Sequence, residues 1–163
     1  ILEEEMISEI DSEKGKTLLL LTTDHGMSPT DPKNTTYLNL EFPELIPMLD
    51  SSQKGHPLVP AGGCRDFFLH LKEDKLQDAI SLLQEPLAEK AEVHIVNDLL
   101  EAGFFGHSVS ENLRSRIGNL VILPYYGESV WWYEKNRFEQ KMLGHHGGLT
   151  REEMEIPLLA LCL

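Results

Sequence analysis

Thr17-Leu18-Leu19-Leu20-Leu21-Thr22-Thr23-Asp24-His25-Gly26-Met27 is the stretch that decides the fold. Four consecutive leucines bounded by threonines predict a buried strand, most simply a central parallel one. The apolar pattern stops at Asp24, and Gly26 permits a sharp turn. Polar side chains are thus delivered to the carboxyl end of a strand, the usual position for a site in an open α/β sheet. Upstream, Asp11 to Lys16 read as a polar turn, and Leu2, Met6, Ile7 and Ile10 fall at helical spacing. Glu3-Glu4-Glu5 would be the solvated face of that helix. A chain that opens with Ile1 in the middle of such a pattern reads as a piece of something longer.

Downstream, Ser28 to Gly63 is rich in Pro, Asn and Gly and predicts loop, a short strand at Tyr37 to Phe42 and one helical turn near Leu45. A second unit begins at Arg65. Phe67 to Leu71 predict a strand, and Asp74 to Leu87 a helix with Leu76, Ala79, Ile80, Leu82, Leu83 and Leu87 as its apolar face. Val93 to Val96 follow as a strand, Asn97 to Ala102 as a short helix ended by Gly103, and Leu113 to Ile117 as one more turn. Leu120 to Pro124 and Val130 to Tyr133 read as strands joined by a turn at Gly127. Thr150 and Glu153 have the spacing of a capping box, and Ile156 to Cys162 the pattern of a buried final strand. The organisation predicted is a sheet segment over residues 1–63, an α+β insert over 64–138, and a second sheet segment over 139–163. The fold class is α/β.

At 163 residues, 41% hydrophobic and 25% charged, the composition is that of a soluble globular domain rather than a disordered or collagen-like chain. Asp plus Glu exceed Lys plus Arg by 27 to 14, a net charge of -13 that repels nucleic-acid polymers and anionic membrane surfaces. A small phosphorylated substrate stays admissible, because a bound cation can invert the local field. Cys64 and Cys162 alone make neither a disulfide framework nor a zinc–cysteine cluster. No apolar run is long enough to span a bilayer, and the chain opens on no signal-peptide pattern, so the expected location is the cytoplasm.

Two clusters could carry chemistry: Asp24-His25 at the strand end, and His145-His146-Gly147 after a loop. Carboxylate oxygen and imidazole nitrogen are ligands for zinc, manganese and related ions. One ion needs three or four of them, so these few alone would make an incomplete site. By residue chemistry alone, an Asp-His pair at a strand end is more often a turn and cap than a ligand pair.

Thr22-Thr23-Asp24-His25-Gly26-Met27 and Gly144-His145-His146-Gly147-Gly148-Leu149-Thr150, with Glu153-Met154 and Ile156-Pro157-Leu158 behind, resemble the last two metal motifs of the alkaline phosphatase superfamily. The nearest branch is the type I phosphodiesterase and nucleotide pyrophosphatase family. The resemblance implies an alkaline-phosphatase-like sheet domain with an inserted cap near the substrate. It implies that Asp24 and His25 ligate the metal beside the nucleophile, that His146 ligates a second metal, and that His145 is a neighbour. Two divalent ions, zinc or manganese, would then clamp a phosphoryl group attacked by a Ser or Thr. In such proteins that nucleophile, an early aspartate and an Asp-x-x-x-His motif all precede Asp24, and this chain contains none of them. The resemblance therefore implies a C-terminal part of a phosphoric ester hydrolase, with no catalytic nucleophile of its own and inactive alone.

Two rivals remain at this level: a phosphoglycerate mutase or phosphopentomutase relative, which shares the Asp-His-Gly strand end, and a non-catalytic binding module. Arg65-Asp66 reads as an exposed strand-end ion pair. Trp131, Trp132 and Tyr133 with Tyr125 and Tyr126 read as partly insert core, since alternate strand residues face opposite sides. His56, His70, His94 and His107 are scattered and take no role. A sheet edge left open could be covered by a second copy, giving a homo-oligomer.

Overall fold

The computed structural model describes residues 17–162. The expected N-terminal helix and its Glu3-Glu4-Glu5 face lie outside those residues. The elements are β1 (Leu18–Thr22), β2 (Ser28–Tyr37), α1 (Leu38–Glu41), β3 (Ala61–Gly62), β4 (Phe67–Leu69), α2 (Leu76–Leu87), β5 (Ala91–Ile95), α3 (Val96–Glu101), α4 (Glu111–Arg114), β6 (Leu120–Pro124), β7 (Gly127–Trp131), β8 (Gly144–His145), α5 (Arg151–Met154) and β9 (Leu158–Cys162). Short 3-10 turns at Pro43–Met48 and Glu73–Lys75 precede β3 and α2.

Side chains alternate across a strand, so a strand apolar at every position must be covered on both faces. That is the situation of β4 and β6, the middle strands of the antiparallel sheet β3-β4-β6-β5. Phe67, Leu69, Leu120 and Ile122 pack on one face with Leu38, Leu45, Ala79, Leu83 and Leu87. Phe68 and Val121 pack on the other with Val96 and Ile117. The main core therefore draws side chains from both sides of position 64. Ala79, Leu83 and Leu87 recur every fourth residue along α2, which lays them on this core as the periodicity predicts. Burying a side chain such as Leu83 contributes about 1.5–3 kcal/mol.

β5, α3 and α4 fall at or within a few residues of their predicted positions. Gly103 follows α3 with φ +83°, and Ser110 caps α4 by accepting the Leu113 N–H at 3.2 Å. β6 and β7 flank the Gly127 turn but belong to different sheets. β7 pairs in parallel with β2, aligning Thr35 with Ser129, Thr36 with Val130 and Tyr37 with Trp131.

The segment from Ser28 differs from expectation. The strand comes first, over Ser28–Tyr37, and the apolar stretch after Tyr37 is the short helix α1. β2 is the centre of the sheet β7-β2-β8 and buries hydroxyls rather than hydrocarbon: Ser28, Thr30, Thr35 and Thr36. Thr35 Oγ1 meets Ser129 Oγ at 2.8 Å, so these buried groups are paired. Pro32 lies where the β2–β7 register is interrupted between Thr30 and Thr35, a place that asks for no ladder N–H.

The four-leucine strand is the larger correction. β1 is neither central nor parallel: it pairs antiparallel with β9, Leu18 opposite Cys162 and Thr22 opposite Leu158. The ribbon has no further strand among the described residues, so most of its side chains stand in solvent, Leu21 62% and Leu158 67% exposed. Cys162, expected in a buried strand, is exposed with them. Among the described residues no helix is long and apolar enough to cross a membrane.

Candidate metal centre

The first turn is built by short-range bonds. Thr22 Oγ1 donates to the Pro157 carbonyl at 2.8 Å, fixing the end of β1 against the start of β9. Asp24 Oδ1 accepts the His25 N–H at 3.1 Å. His25 Nδ1 lies 2.8 Å from the Gly26 carbonyl, which can only accept, so Nδ1 carries the proton and Nε2 of the neutral ring keeps its lone pair. Nε2 sits 3.5 Å from Asp24 Oδ2, too long for a hydrogen bond. Two donors about 2.0–2.2 Å from one tetrahedral ion lie about 3.3–3.5 Å from each other, so this spacing suits a shared ion. Asp24 is 86% exposed and His25 partly so, leaving both donors open.

The second loop reaches the first because β2 leaves the Asp24 turn and pairs antiparallel with β8, Ser28 opposite His145 and Pro29 opposite Gly144. That register brings the following residue, His146, to His25, and the two rings stack with centroids 3.8 Å apart and planes 17° from parallel. Gly147 has φ +114°, a conformation side chains rarely adopt, and a Cβ there would stand 3.1 Å from Asp66 Oδ1. Gly26 is equally constrained: its N–H donates to the Glu153 carbonyl at 2.9 Å, and a Cβ would run into the Glu152 carbonyl.

Arg65 is not the exposed partner of Asp66 that the sequence suggested. It is fully buried, and Nε and Nη2 bind the two Glu153 carboxylate oxygens at 3.0 and 2.8 Å. Nη1 donates to the carbonyls of Tyr125 and Glu128. A guanidinium in the interior must satisfy its N–H groups, and only Glu153 with these carbonyls can do so here. Asp66 instead accepts the Gly63 N–H at 2.7 Å and faces Gly147, its carboxyl pushed up by burial. Glu153 also accepts from Gly148 N at 3.0 Å and from Thr150 Oγ1 at 2.6 Å. The expected capping box does not form: the Thr150 hydroxyl accepts no N–H from the first turn of α5 and instead donates to this carboxylate. Burial alone would raise the Glu153 carboxyl, but the bonds from Arg65, Thr150 and Gly148 prevail and hold it below the ordinary range.

His145 has different surroundings from its neighbour. Its Nε2 is buried with no partner among the described residues, and burial, with Arg65 and His146 nearby, pulls the imidazole below its usual value. Cys64 is buried beside Arg65, and loss of solvent pushes its thiol up to about 11.

The sequence profile of type I phosphodiesterase / nucleotide pyrophosphatase matches residues 4–149. The chain belongs to that family. Its fold is similar to murine ectonucleotide pyrophosphatase / phosphodiesterase 5, with TM-score 0.63 and 18% identity over 95% of this chain and 36% of that one. The human protein of the same description gives the same figures. Phosphonoacetate hydrolase from Sinorhizobium meliloti, in complex with phosphonoformate, is similar with TM-score 0.53 and 16% identity, over 89% of this chain and 36% of that one. The chain thus spans about a third of the length of these structures. No curated protein matches it significantly.

Metal dependence is a property of this family. The donors present fit a divalent ion by type and by the Asp24–His25 spacing, but as a partial set. Among the described residues no group of three His, Cys, Asp or Glu side chains is placed to hold one ion. The structure brings Asp24, His25 and His146 together and sets His145 apart. Reasoning from the sequence missed Glu153, which bonds to both turns; its one visible signal was the Thr150-to-Glu153 spacing.

Proposed function

We propose that this chain is the C-terminal part of a metal-dependent phosphoric ester hydrolase of the phosphodiesterase/nucleotide pyrophosphatase type. The observation that carries the proposal is the stacking of His25 and His146, two imidazoles from opposite ends of the described chain, beside the open Asp24 carboxylate. In this reading Asp24 Oδ2 and His25 Nε2 hold one divalent ion, and His146 contributes to a second. Two such ions, zinc or manganese, supply a lowered pKa for an attacking hydroxyl and charge stabilisation at the leaving oxygen. This chain's own share is positional: the Gly26 carbonyl holds the His25 tautomer that keeps Nε2 free, and the β2–β8 register brings the His146 loop beside it. A nucleophilic Ser or Thr and the remaining ligands would come from a preceding segment. The exposed leucines of the β1–β9 ribbon support this, since they are apolar surface with no cover among the described residues.

The net charge of -13 supports a small phosphorylated substrate over a nucleic-acid polymer. Cys64 and Cys162, unpaired in the structure, are consistent with work in the reducing cytoplasm. The test is made on a chain extended by its natural upstream sequence. With zinc or manganese it should hydrolyse a nitrophenyl phosphodiester faster than the monoester, and His146→Ala should abolish turnover. Full activity in His146→Ala would remove His146 from the site, and a preference for the monoester would overturn the phosphodiesterase reading.

A further inference from the structure

Glu153 bonds to both turns of the candidate site. Its main-chain carbonyl accepts the N–H of Gly26, the residue after His25, at 2.9 Å. Its carboxylate accepts the N–H of Gly148, two residues beyond His146, at 3.0 Å. Arg65 grips the same carboxylate at both oxygens, and the Thr150 hydroxyl adds a third hold at 2.6 Å. Arg65 is itself fixed to the carbonyls of Tyr125 and Glu128, on the chain that leads into and forms β7. β7 pairs with β2, and β2 starts directly after the Asp24 turn. The network therefore closes a circuit from one turn to the other through a single residue, Glu153.

Stability does not require ions at this place. Well-packed apolar residues of similar volume commonly replace a buried ion pair without loss. What they cannot supply is an acceptor for the Gly148 N–H, or a fixed direction for the loop that carries His146. From this we infer that Arg65 and Glu153 are positioning residues: they clamp the Asp24-His25-Gly26 turn to the His146-Gly147-Gly148 loop and so set the stacking of His25 on His146. The consequence for metal binding rests on the function proposed above. The clamp itself is a statement about ring geometry.

The test uses this chain with Arg65→Met and Glu153→Leu together, which leaves neither charge buried alone. Stacked imidazoles shift one another's ring protons in the NMR spectrum, and His25→Ala and His146→Ala assign the two signals. At one fixed pH, the folded double variant should lose the mutual shifts. In calorimetry with zinc alone it should bind about 10–100-fold more weakly than the unaltered chain, the usual effect of removing a group that orients a ligand. Mutual shifts retained in a folded double variant overturn the clamp, whatever the zinc affinity. Should that variant not fold, Glu153→Asp keeps a charge for Arg65 while drawing the carboxylate back from Gly148. Its shifts should shrink, and unchanged shifts overturn the inference. Zinc binding too weak to measure in the unaltered chain, whose ligand set is partial, leaves the clamp to the ring signals alone; the hydrolase reading fails separately, on the turnover of the upstream-extended chain, so the two failures are distinct.

Discussion

Leu120-Val121-Ile122-Leu123-Pro124 and Leu18-Leu19-Leu20-Leu21-Thr22 are strands of nearly the same composition in opposite surroundings. β6 runs inside a four-stranded sheet, with Leu120, Val121 and Ile122 fully buried under helices on both faces. β1 has one neighbour, β9, and Leu18, Leu20 and Leu21 stand in solvent. An apolar strand records what a segment is able to bury; whether it does so depends on layers supplied from elsewhere in sequence. In β6 those layers are α2 on one side and the α3–α4 region on the other.

The contrast can be broken most directly at its charged margin. Arg65→Ala would leave Glu153 buried without its counter-ion and should lower stability by about 3–5 kcal/mol in urea unfolding. A loss under about 1 kcal/mol would mean that solvent reaches the pair. In the core sheet, Leu120→Ala should cost about 2–5 kcal/mol. The matching change in the ribbon, Leu20→Ala, should stay within about 0.5 kcal/mol. Equal losses at the two positions would show that the ribbon packs on a second copy, and the sedimentation of the unaltered chain would then depend on concentration.

Acid sharpens the same comparison. The Glu153 carboxyl is held below the ordinary range in the folded state, so the folded protein takes up this proton at lower pH than the unfolded chain does. Its contribution is complete above about pH 4.3, the ordinary glutamate value, and is lost as pH falls through the folded value. Glu153→Gln should flatten this part of the acid stability curve, measured as urea midpoints against pH. Leu159→Lys on the ribbon should leave stability within about 0.5 kcal/mol of the parent while reducing binding of a hydrophobic dye. The smallest effect concerns the thiols. Cys162 should react with a thiol reagent at neutral pH and Cys64 only after unfolding, since burial raises the Cys64 thiol to about 11.

Where packing is local, the sequence could be read. The fourfold spacing of Ala79, Leu83 and Leu87 needs only one face to cover, and α2 lies where the pattern places it. β2 was hidden because its inward side chains are Ser28, Thr30, Thr35 and Thr36, which look like loop beside Pro29 and Pro32. β-branched threonines were the signal available. Tyr37 to Phe42 was misread because a short apolar run fits a strand or a helical turn equally well. At the site, Asp24, His25 and His146 were visible as motif residues. Arg65 was paired with adjacent Asp66 by proximity in sequence, whereas its partner Glu153 lies 88 residues away. No one-dimensional pattern announces such a pair.

The pairing of β1 with β9 has a consequence for the order in which the molecule assembles. Thr22 and Pro157, bonded across the ribbon, are 135 residues apart. Joining the ends of a flexible loop of that length costs about 4 kcal/mol in chain entropy. Two exposed strands offer little burial to offset it. The ribbon must therefore wait until the intervening chain has condensed and shortened the gap, which makes it the last element to form and the first to exchange its amide hydrogens.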